Sequence, residues 1–263
     1  MTTEPFLIDE LLKIRGLEVD FDGFKAVDGV DLDVKLNEVH VLIGPNGAGK
    51  TTVIDCVTGM TKPTDGSILF DDVQLRGKRE NAIVKMGIGR TFQTASVFEA
   101  LTVEENLDLA ASFRFSMLKL LRQRRGTTEA VERALEDTGL TDVRHKEAGT
   151  LSHGQKQWLE IGMLLCQDPK LLLLDEPVAG MSPEERTRTG DLIRLTAERC
   201  TVLCVEHDMD FLRRFADRVT VMDEGKILKA ASTVAEVQAD ERVQEIYIGK
   251  GRGIEEKAEE AST

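Results

Sequence analysis

Eight residues, from Gly44 to Thr51, have the types and the order of a phosphate-binding loop. They read GPNGAGKT and match the pattern G-x-x-x-x-G-K-[ST]. Glycines let a backbone wrap closely around phosphate oxygens, and a lysine brings a full positive charge to the β- and γ-phosphates. A threonine hydroxyl in this place suits Mg²⁺. The candidate nucleotide-binding residues here are Gly44, Pro45, Asn46, Gly47, Ala48, Gly49, Lys50, Thr51 and Thr52.

The segments on either side of this loop have the periodicities that such a site needs. The apolar run VHVLI precedes it, and TTVIDCVTG, typical of a helix ended by Gly59, follows. A helix N-terminus adds about half a positive charge at the place where the phosphates bind. An accidental glycine-rich turn is the alternative, but it would not have these flanks.

Two adjacent carboxylates, Asp175 and Glu176, follow four leucines. This pattern predicts a strand buried on both faces that ends at the sheet edge where ligands bind in open α/β folds. Successive side chains of a strand point in opposite directions, so the two carboxylates cannot share a role. We predict that Asp175 binds Mg²⁺ and that Glu176, in the following turn, orients or deprotonates the water attacking the γ-phosphate. A capped strand end is the alternative for this pattern taken alone.

His207 follows a third apolar run in VLCVEHD. A single histidine is often structural. At the end of a core strand, however, a neutral imidazole can donate a hydrogen bond to a γ-phosphate and hold the water in place.

The segment LSHGQ, residues 151–155 and here called the signature segment, opens a helix. Ser152 and Gln155 have the spacing of a capping box. A capped helix N-terminus beside a glycine is also a site for an anionic phosphate. The two interpretations are compatible.

With these motifs the chain resembles the ABC ATPase family over residues 10–250. The resemblance implies that Phe21 stacks on adenine, with a core position as the alternative. It also implies that Gln93, in GRTFQ, contacts Mg²⁺ or the attacking water and links the chain to a membrane subunit. By the same resemblance the catalytic residues are Glu176, His207 and Gln93, and the metal ligands are Thr51, Gln93 and Asp175.

The family resemblance also implies a head-to-tail dimer. ATP on one subunit's phosphate loop would be covered by Ser152, Gly154 and Gln155 of the other subunit. Two residues depart from the family pattern: His153 stands where a glycine is usual, and Ser182 stands where an aspartate is common. Since the other signature residues are retained, we expect the phosphate contact to survive.

Three segments are similar to the branched-chain amino acid class of ABC importers and, within it, to urea-uptake ATPases. They are GRTFQTASVFEALTVEENLDLA, LSHGQKQWLEIGMLL and DEPVAGMSPEE. The main functional prediction is an ATPase subunit of a urea importer, with import of a branched-chain or hydrophobic amino acid as the first alternative. A soluble ABC ATPase of the iron–sulfur assembly type and a P-loop kinase are further alternatives.

The resemblance implies ATP and Mg²⁺ as cofactors and a second ATPase subunit as partner. It further implies two membrane permease subunits, an indirect link to an external solute-binding protein, and a peripheral location on the cytoplasmic face of the membrane. The fold expected is α/β: a P-loop NTPase ABC cassette with a mixed central sheet, an antiparallel β layer and an inserted α-helical subdomain. We expect one domain over residues 1–250, with the helical subdomain at about 94–167, and a disordered acidic tail at 251–263.

Composition limits the partners. The chain has 263 residues, a formal charge of −13 and 41% apolar residues, which permits a real core and argues against nucleic acid as a partner. Its four cysteines show no spacing typical of a metal or disulfide framework, the N-terminus does not read as a secretory signal, and no run is long enough to span a membrane. A basic and apolar stretch, residues 113–125, reads as a solvated segment, with docking to a membrane partner as the alternative.

Overall fold

The structure, a computed structural model, describes residues 10–92, 95–112 and 129–246. Its contacts divide the chain into two compact units. Among the described residues the first unit comprises 10–35, 40–77 and 205–246, and the second comprises 36–39 and 78–204 apart from the gaps. Gln93, the stretch 113–125 and the acidic tail 251–263 lie outside the described residues.

An antiparallel sheet of four strands forms one layer of the first unit. Its strands are β1 (Glu10–Phe21), β2 (Phe24–Lys35), β4 (Asp65–Phe70) and β5 (Val73–Gln74), in the spatial order β2-β1-β4-β5. Val30, Leu32 and Val34 are all buried on one face of β2, as the alternating apolar pattern predicts. The predicted antiparallel layer is therefore confirmed.

The first unit also holds residues 40–43 of the strand that leads into the phosphate loop. All five residues of β3 (Val39–Ile43) are buried, and β3 runs parallel to β9 (Arg218–Asp223). Since β9 pairs antiparallel with β10 (Lys226–Ser232), the pairing is mixed. The helices of this unit are α1 (Lys50–Thr58), α7 (Met209–Leu212) and α8 (Val234–Gln238).

The second unit places three strands side by side. β7 (Leu171–Asp175) lies between β6 (Ile88–Arg90) and β8 (Thr201–Glu206), and β6 and β7 are parallel. Every residue of β7 and β8 is buried, as expected for apolar runs covered on both faces. The boundary between the two units passes through β8 after Cys204.

Helices make up much of the rest of the second unit. They are α2 (Glu80–Lys85), α3 (Val103–Ser112), α4 (Glu129–Thr138), α5 (His153–Leu165) and α6 (Pro183–Ala197). α3 and α4 pack against each other and against α5, while α6 packs against α4 and α5. Within the described residues, no helix is both long and apolar enough to cross a bilayer.

Candidate functional site

Two glycines of the phosphate loop are required by close backbone contacts. Gly49 has φ +96°, and a Cβ there would lie 2.4 Å from the carbonyl oxygen of Ala26. Gly44 has φ +154°, and its Cβ would lie 2.1 Å from the carbonyl oxygen of Met222. Any side chain at either position would collide with backbone that cannot easily move. The loop thus forms a tight backbone cradle that only glycine permits.

Lys50 arches back over this cradle. Its Nζ donates to the carbonyl oxygens of Gly44 (2.7 Å) and Pro45 (2.9 Å), and the residue is buried. The ammonium group is therefore fixed above the loop by the loop's own carbonyls. A fixed cation at this position fits the charge of a phosphate group bound in the cradle.

Helix α1 begins directly after the cradle. Its N-cap is Gly49, in the left-handed conformation, and no side chain of the described residues caps the helix. The amides at the start of a helix lack intrahelical partners and carry about half a positive charge, so they suit an anion. Thr51 and Thr52, both half-buried, lie in this first turn. The helix ends in the left-handed Gly59, as predicted.

Phe21 lies at the tip of a hairpin in the first unit. It ends β1 and pairs with Phe24 across a turn in which Asp22 and Gly23 both have positive φ. Phe21 is 51% exposed and Phe24 is 66% exposed. The core position weighed for Phe21 from sequence is therefore wrong, because the side chain is not enclosed. Two exposed aromatic rings can stack on a flat ligand such as a nucleobase.

His207 lies just after the C-terminal end of β8, as predicted. Its side chain is largely exposed, and its backbone N–H donates to Oε2 of Glu206 at 3.1 Å. An exposed imidazole at a strand end can reach a ligand bound beyond that end.

In the second unit, Asp175 ends β7 and is almost completely buried. Its Oδ2 accepts a hydrogen bond from the guanidinium of Arg90 at 3.3 Å, and Arg90 ends the neighbouring strand β6. Thr91 adds a second link, since its hydroxyl accepts from the Asp175 amide at 3.4 Å. The carboxylate thus stands at the carboxyl edge of two parallel strands, balanced by a buried cation. Carboxylates held at such an edge can bind Mg²⁺ together with phosphate oxygens.

Glu176 leaves the strand immediately. Its φ is +49°, in the left-handed region that few non-glycine residues adopt. The backbone N–H of Ala179 donates to the Glu176 carbonyl at 3.1 Å and closes a turn. Glu176 thus lies in a turn directly after the strand that Asp175 ends, where the sequence places it.

The signature segment begins helix α5 as a capping box. The Gln155 amide donates to the Ser152 hydroxyl, and the Gln155 side chain accepts from the Ser152 amide. Gly154 is buried, and a Cβ there would lie 2.5 Å from a carboxylate oxygen of Glu185. Its lack of a side chain lets that carboxylate reach the segment. The predicted cap is confirmed.

Further along α5, Glu160 is a buried carboxyl that fastens the chain on both sides of residues 93 and 94. Its Oε1 accepts from the backbone amides of Phe92 (3.4 Å) and Ser96 (3.3 Å). Burial raises the pKa of Glu160 to about 7, although these two amides act in the opposite direction. Glu160 therefore links α5 to Phe92 and to Ser96.

Sequence reasoning did not find Arg90, Glu160 or Glu185. Arg90 stands in the segment GRTFQ. The signal that could have found it is a basic residue at one strand end together with an acidic residue at another strand end. Glu160 is an acid among the apolar positions of α5. Within the described residues, no cluster of three or more His, Cys, Asp or Glu side chains could hold a metal ion.

Comparisons with known proteins show which family the chain is similar to. The profile of the family described as "ABC transporter" matches residues 27–179. The chain is 38% identical to the high-affinity branched-chain amino acid transport ATP-binding protein BraF of Pseudomonas aeruginosa and 39% identical to LivG of Escherichia coli K12, in each case over 91% of this chain and 98% of the relative. Among solved structures, it matches the ADP conformation of MJ1267, an ATP-binding cassette of an ABC transporter, with a TM-score of 0.79 and 34% identity over 91% of this chain and 99% of that one.

Proposed function

Because this chain belongs to the ABC transporter family and is an ATP-hydrolysing subunit of an ABC importer, we propose that its importer carries branched-chain amino acids. The observation that carries this choice is the similarity to BraF and LivG along almost the whole length of both proteins. Urea, the main prediction from the sequence, has no support from these relatives. The amino acid alternative is the better supported of the two.

We propose that the first unit binds the nucleotide. The glycine cradle and the start of α1 offer backbone amides to the phosphates, and Lys50 meets the β- and γ-phosphates. The exposed Phe21, at a hairpin tip, is assigned to the adenine ring. Contact with adenine therefore needs no residue from the buried core.

Mg²⁺ is the proposed metal, with the hydroxyl of Thr51, the carboxylate of Asp175 and Gln93 as candidate protein ligands. Sites for Mg²⁺ with nucleotides need only one or two carboxylates, since phosphate oxygens and water complete the coordination. The buried carboxylate of Asp175, which lies beside Arg90, fits that requirement. When bound, the ion neutralises negative charge that develops on the phosphates.

Glu176 is the proposed residue that orients or deprotonates the attacking water. Asp175 ends the regular strand and Glu176 has a left-handed backbone in the turn, so we assign one carboxylate to the metal and the other to the water. His207 is assigned to a hydrogen bond with the γ-phosphate. Gln93 is assigned to the water or the metal, as the family resemblance implies.

The signature segment is proposed to act on a second ATPase subunit. Ser152, Gly154 and Gln155 stand at the capped N-terminus of α5, a helix of 13 residues, where an anion is favoured. ATP bound by one subunit would then be covered by the signature segment of the other. Hydrolysis would remove the γ-phosphate contacts and let the pair open.

The remaining partners of the proposal are two membrane permease subunits and, through them, an external solute-binding protein. The chain would sit at the cytoplasmic face of the membrane without entering it. Opening and closing of the ATPase pair would then be transmitted to the permeases.

Uptake measurements test the solute. In the source cells the wild-type gene is replaced by one encoding Lys50→Ala, and uptake of labelled leucine, isoleucine and valine is compared with uptake of labelled urea. We expect uptake of the three amino acids to be lost and uptake of urea to be retained. Loss of urea uptake with intact amino acid uptake would overturn the proposal in favour of the urea importer. If neither uptake is lost, the chain is a subunit of neither transport system.

A further inference from the structure

His153, which departs from the family pattern, contacts the turn that follows strand β7. Its Nε2 lies 3.0 Å from the carbonyl oxygen of Ala179. Because a carbonyl oxygen only accepts hydrogen bonds, this imidazole carries a proton on Nε2 and donates. The ring also packs on Gly180, where an added Cβ would lie 3.8 Å from its Cδ2. Helix α5 thus reaches the turn through a side chain that glycine does not have.

The turn held in this way, residues 176–182 and here called the β7 turn, begins with Glu176. Two backbone bonds close it: Ala179 N–H to the Glu176 carbonyl at 3.1 Å, and Met181 N–H to the Val178 carbonyl at 3.2 Å. Ala179 therefore bonds through its amide to Glu176 and through its carbonyl to His153. This forms a short chain of contacts from the signature segment to the residue assigned to the attacking water.

A second link joins the same two parts. Glu185 lies in the first turn of α6, where it completes a capping box with Ser182. Its carboxylate also accepts the hydroxyl of Ser152 at 3.1 Å. The Ser182 amide is the main cause that lowers the pKa of Glu185, which keeps the anion between two helix N-termini. Ser182 and His153, the two departures from the family pattern, therefore both help to join the β7 turn to the signature segment.

We propose that His153 is a positioning residue, which fastens the β7 turn to helix α5 and so holds Glu176 in its left-handed conformation for hydrolysis. The inference rests on the proposed role of Glu176. His153 is itself exposed, so its side chain is not needed for the core. Its hydrogen bond matters because a left-handed conformation is unfavourable for a glutamate and must be imposed by neighbouring contacts.

The expected change in kcat follows from the loss of one hydrogen bond. The net contribution of such a bond corresponds to a change in rate of about fivefold when it is lost from the reacting geometry. The loss should fall on kcat, because His153 contacts the β7 turn rather than the phosphate loop of its own chain. The KM for ATP should change by less than about twofold.

The experiment compares two substitutions of similar size that differ in one donor. His153→Gln places an amide N–H near the position of Nε2, whereas His153→Met places no donor there. Each variant of the full chain is purified with its transporter complex from native membranes, and kcat and KM for ATP are measured. His145→Gln and His145→Met make the same changes at an exposed histidine of the same unit and serve as matched controls.

We expect His153→Met to lower kcat about fivefold and His153→Gln to remain within about twofold of the wild type. Wild-type kcat in His153→Met would overturn the inference, and so would an equal loss in both variants. Glu176→Gln is measured in parallel. Undiminished hydrolysis by that variant would refute the assigned role of Glu176. A wild-type kcat in His153→Met together with a loss of hydrolysis in Glu176→Gln would refute only the role of His153.

Discussion

Glu160 should make the stability of the protein fall as the pH rises from acid towards neutrality. Burial raises the pKa of this carboxyl to about 7, whereas an unfolded glutamate titrates at about 4.5. Between these values the folded protein keeps a proton that the unfolded chain has lost, so unfolding is increasingly favoured as the pH increases. The contribution is complete below the unfolded pKa and is lost once the pH passes the folded one.

The magnitude follows from the difference of pKa. A difference of about 2.5 units corresponds to about 3 kcal/mol of unfolding free energy over the full range. Between about pH 5 and about pH 8 the loss should be about 2.5 kcal/mol, because part of the titration of the unfolded chain lies below that window. Glu160→Gln should not show this loss, since its neutral amide keeps an oxygen that can accept from Phe92 and Ser96.

Urea unfolding of the full chain at several pH values tests this prediction. Trp158, the only tryptophan in the sequence, is buried two positions before Glu160 and reports on the unit that contains it. The decisive quantity is the stability of Glu160→Gln minus that of the wild type, since other titrating groups cancel in the difference. We expect this quantity to grow with pH by about 2.5 kcal/mol. A difference that stays constant would refute the reasoning, and Glu147→Gln provides the same change at an exposed glutamate.

Three further substitutions test the site itself. Glu176→Gln should retain ATP binding and lower kcat about 10²–10⁴-fold, as measured by phosphate release, because the water loses its base. Gly49→Ala should weaken ATP binding in equilibrium titrations, since the added Cβ meets the Ala26 carbonyl at 2.4 Å. Arg90→Met should lower the free energy of unfolding in urea by about 3 kcal/mol, because it removes the guanidinium from the buried carboxylate of Asp175.

Each of these substitutions has a control and a contrary outcome. Lys50→Ala should lose ATP binding, whereas Glu176→Gln should keep it. Equal ATP affinity in Lys50→Ala, Gly49→Ala and Glu176→Gln would count against the cradle as the phosphate-binding site. Gly77→Ala also places a Cβ at a positive φ, but no atom lies within 4 Å of it and the residue belongs to no proposed contact with ATP, so it should leave ATP affinity unchanged. Arg133→Met breaks an exposed ion pair and should lower the free energy of unfolding by less than about 0.5 kcal/mol. If Arg90→Met lowers it by no more than Arg133→Met does, burial of the ion pair adds nothing to stability.

Several features follow from local sequence and agree with the structure. The buried strand before the phosphate loop, the helix that ends at Gly59, the capping box of Ser152 and the strand end at Asp175 all depend on residues close together in the chain. Periodicity, glycine conformation and side-chain capping act over a few residues, so sequence determines them well. The α/β class and the antiparallel layer follow from the same patterns.

Only the tertiary structure decided which distant side chains meet. Arg90 reaches Asp175 across 85 positions, Glu160 reaches the amides around residues 93 and 94, and His153 reaches Ala179. The exposure of Phe21 was likewise open, because an aromatic residue at a strand end suits a core as well as a surface. These contacts depend on how strands and helices pack and on the direction of each side chain, neither of which a local pattern contains.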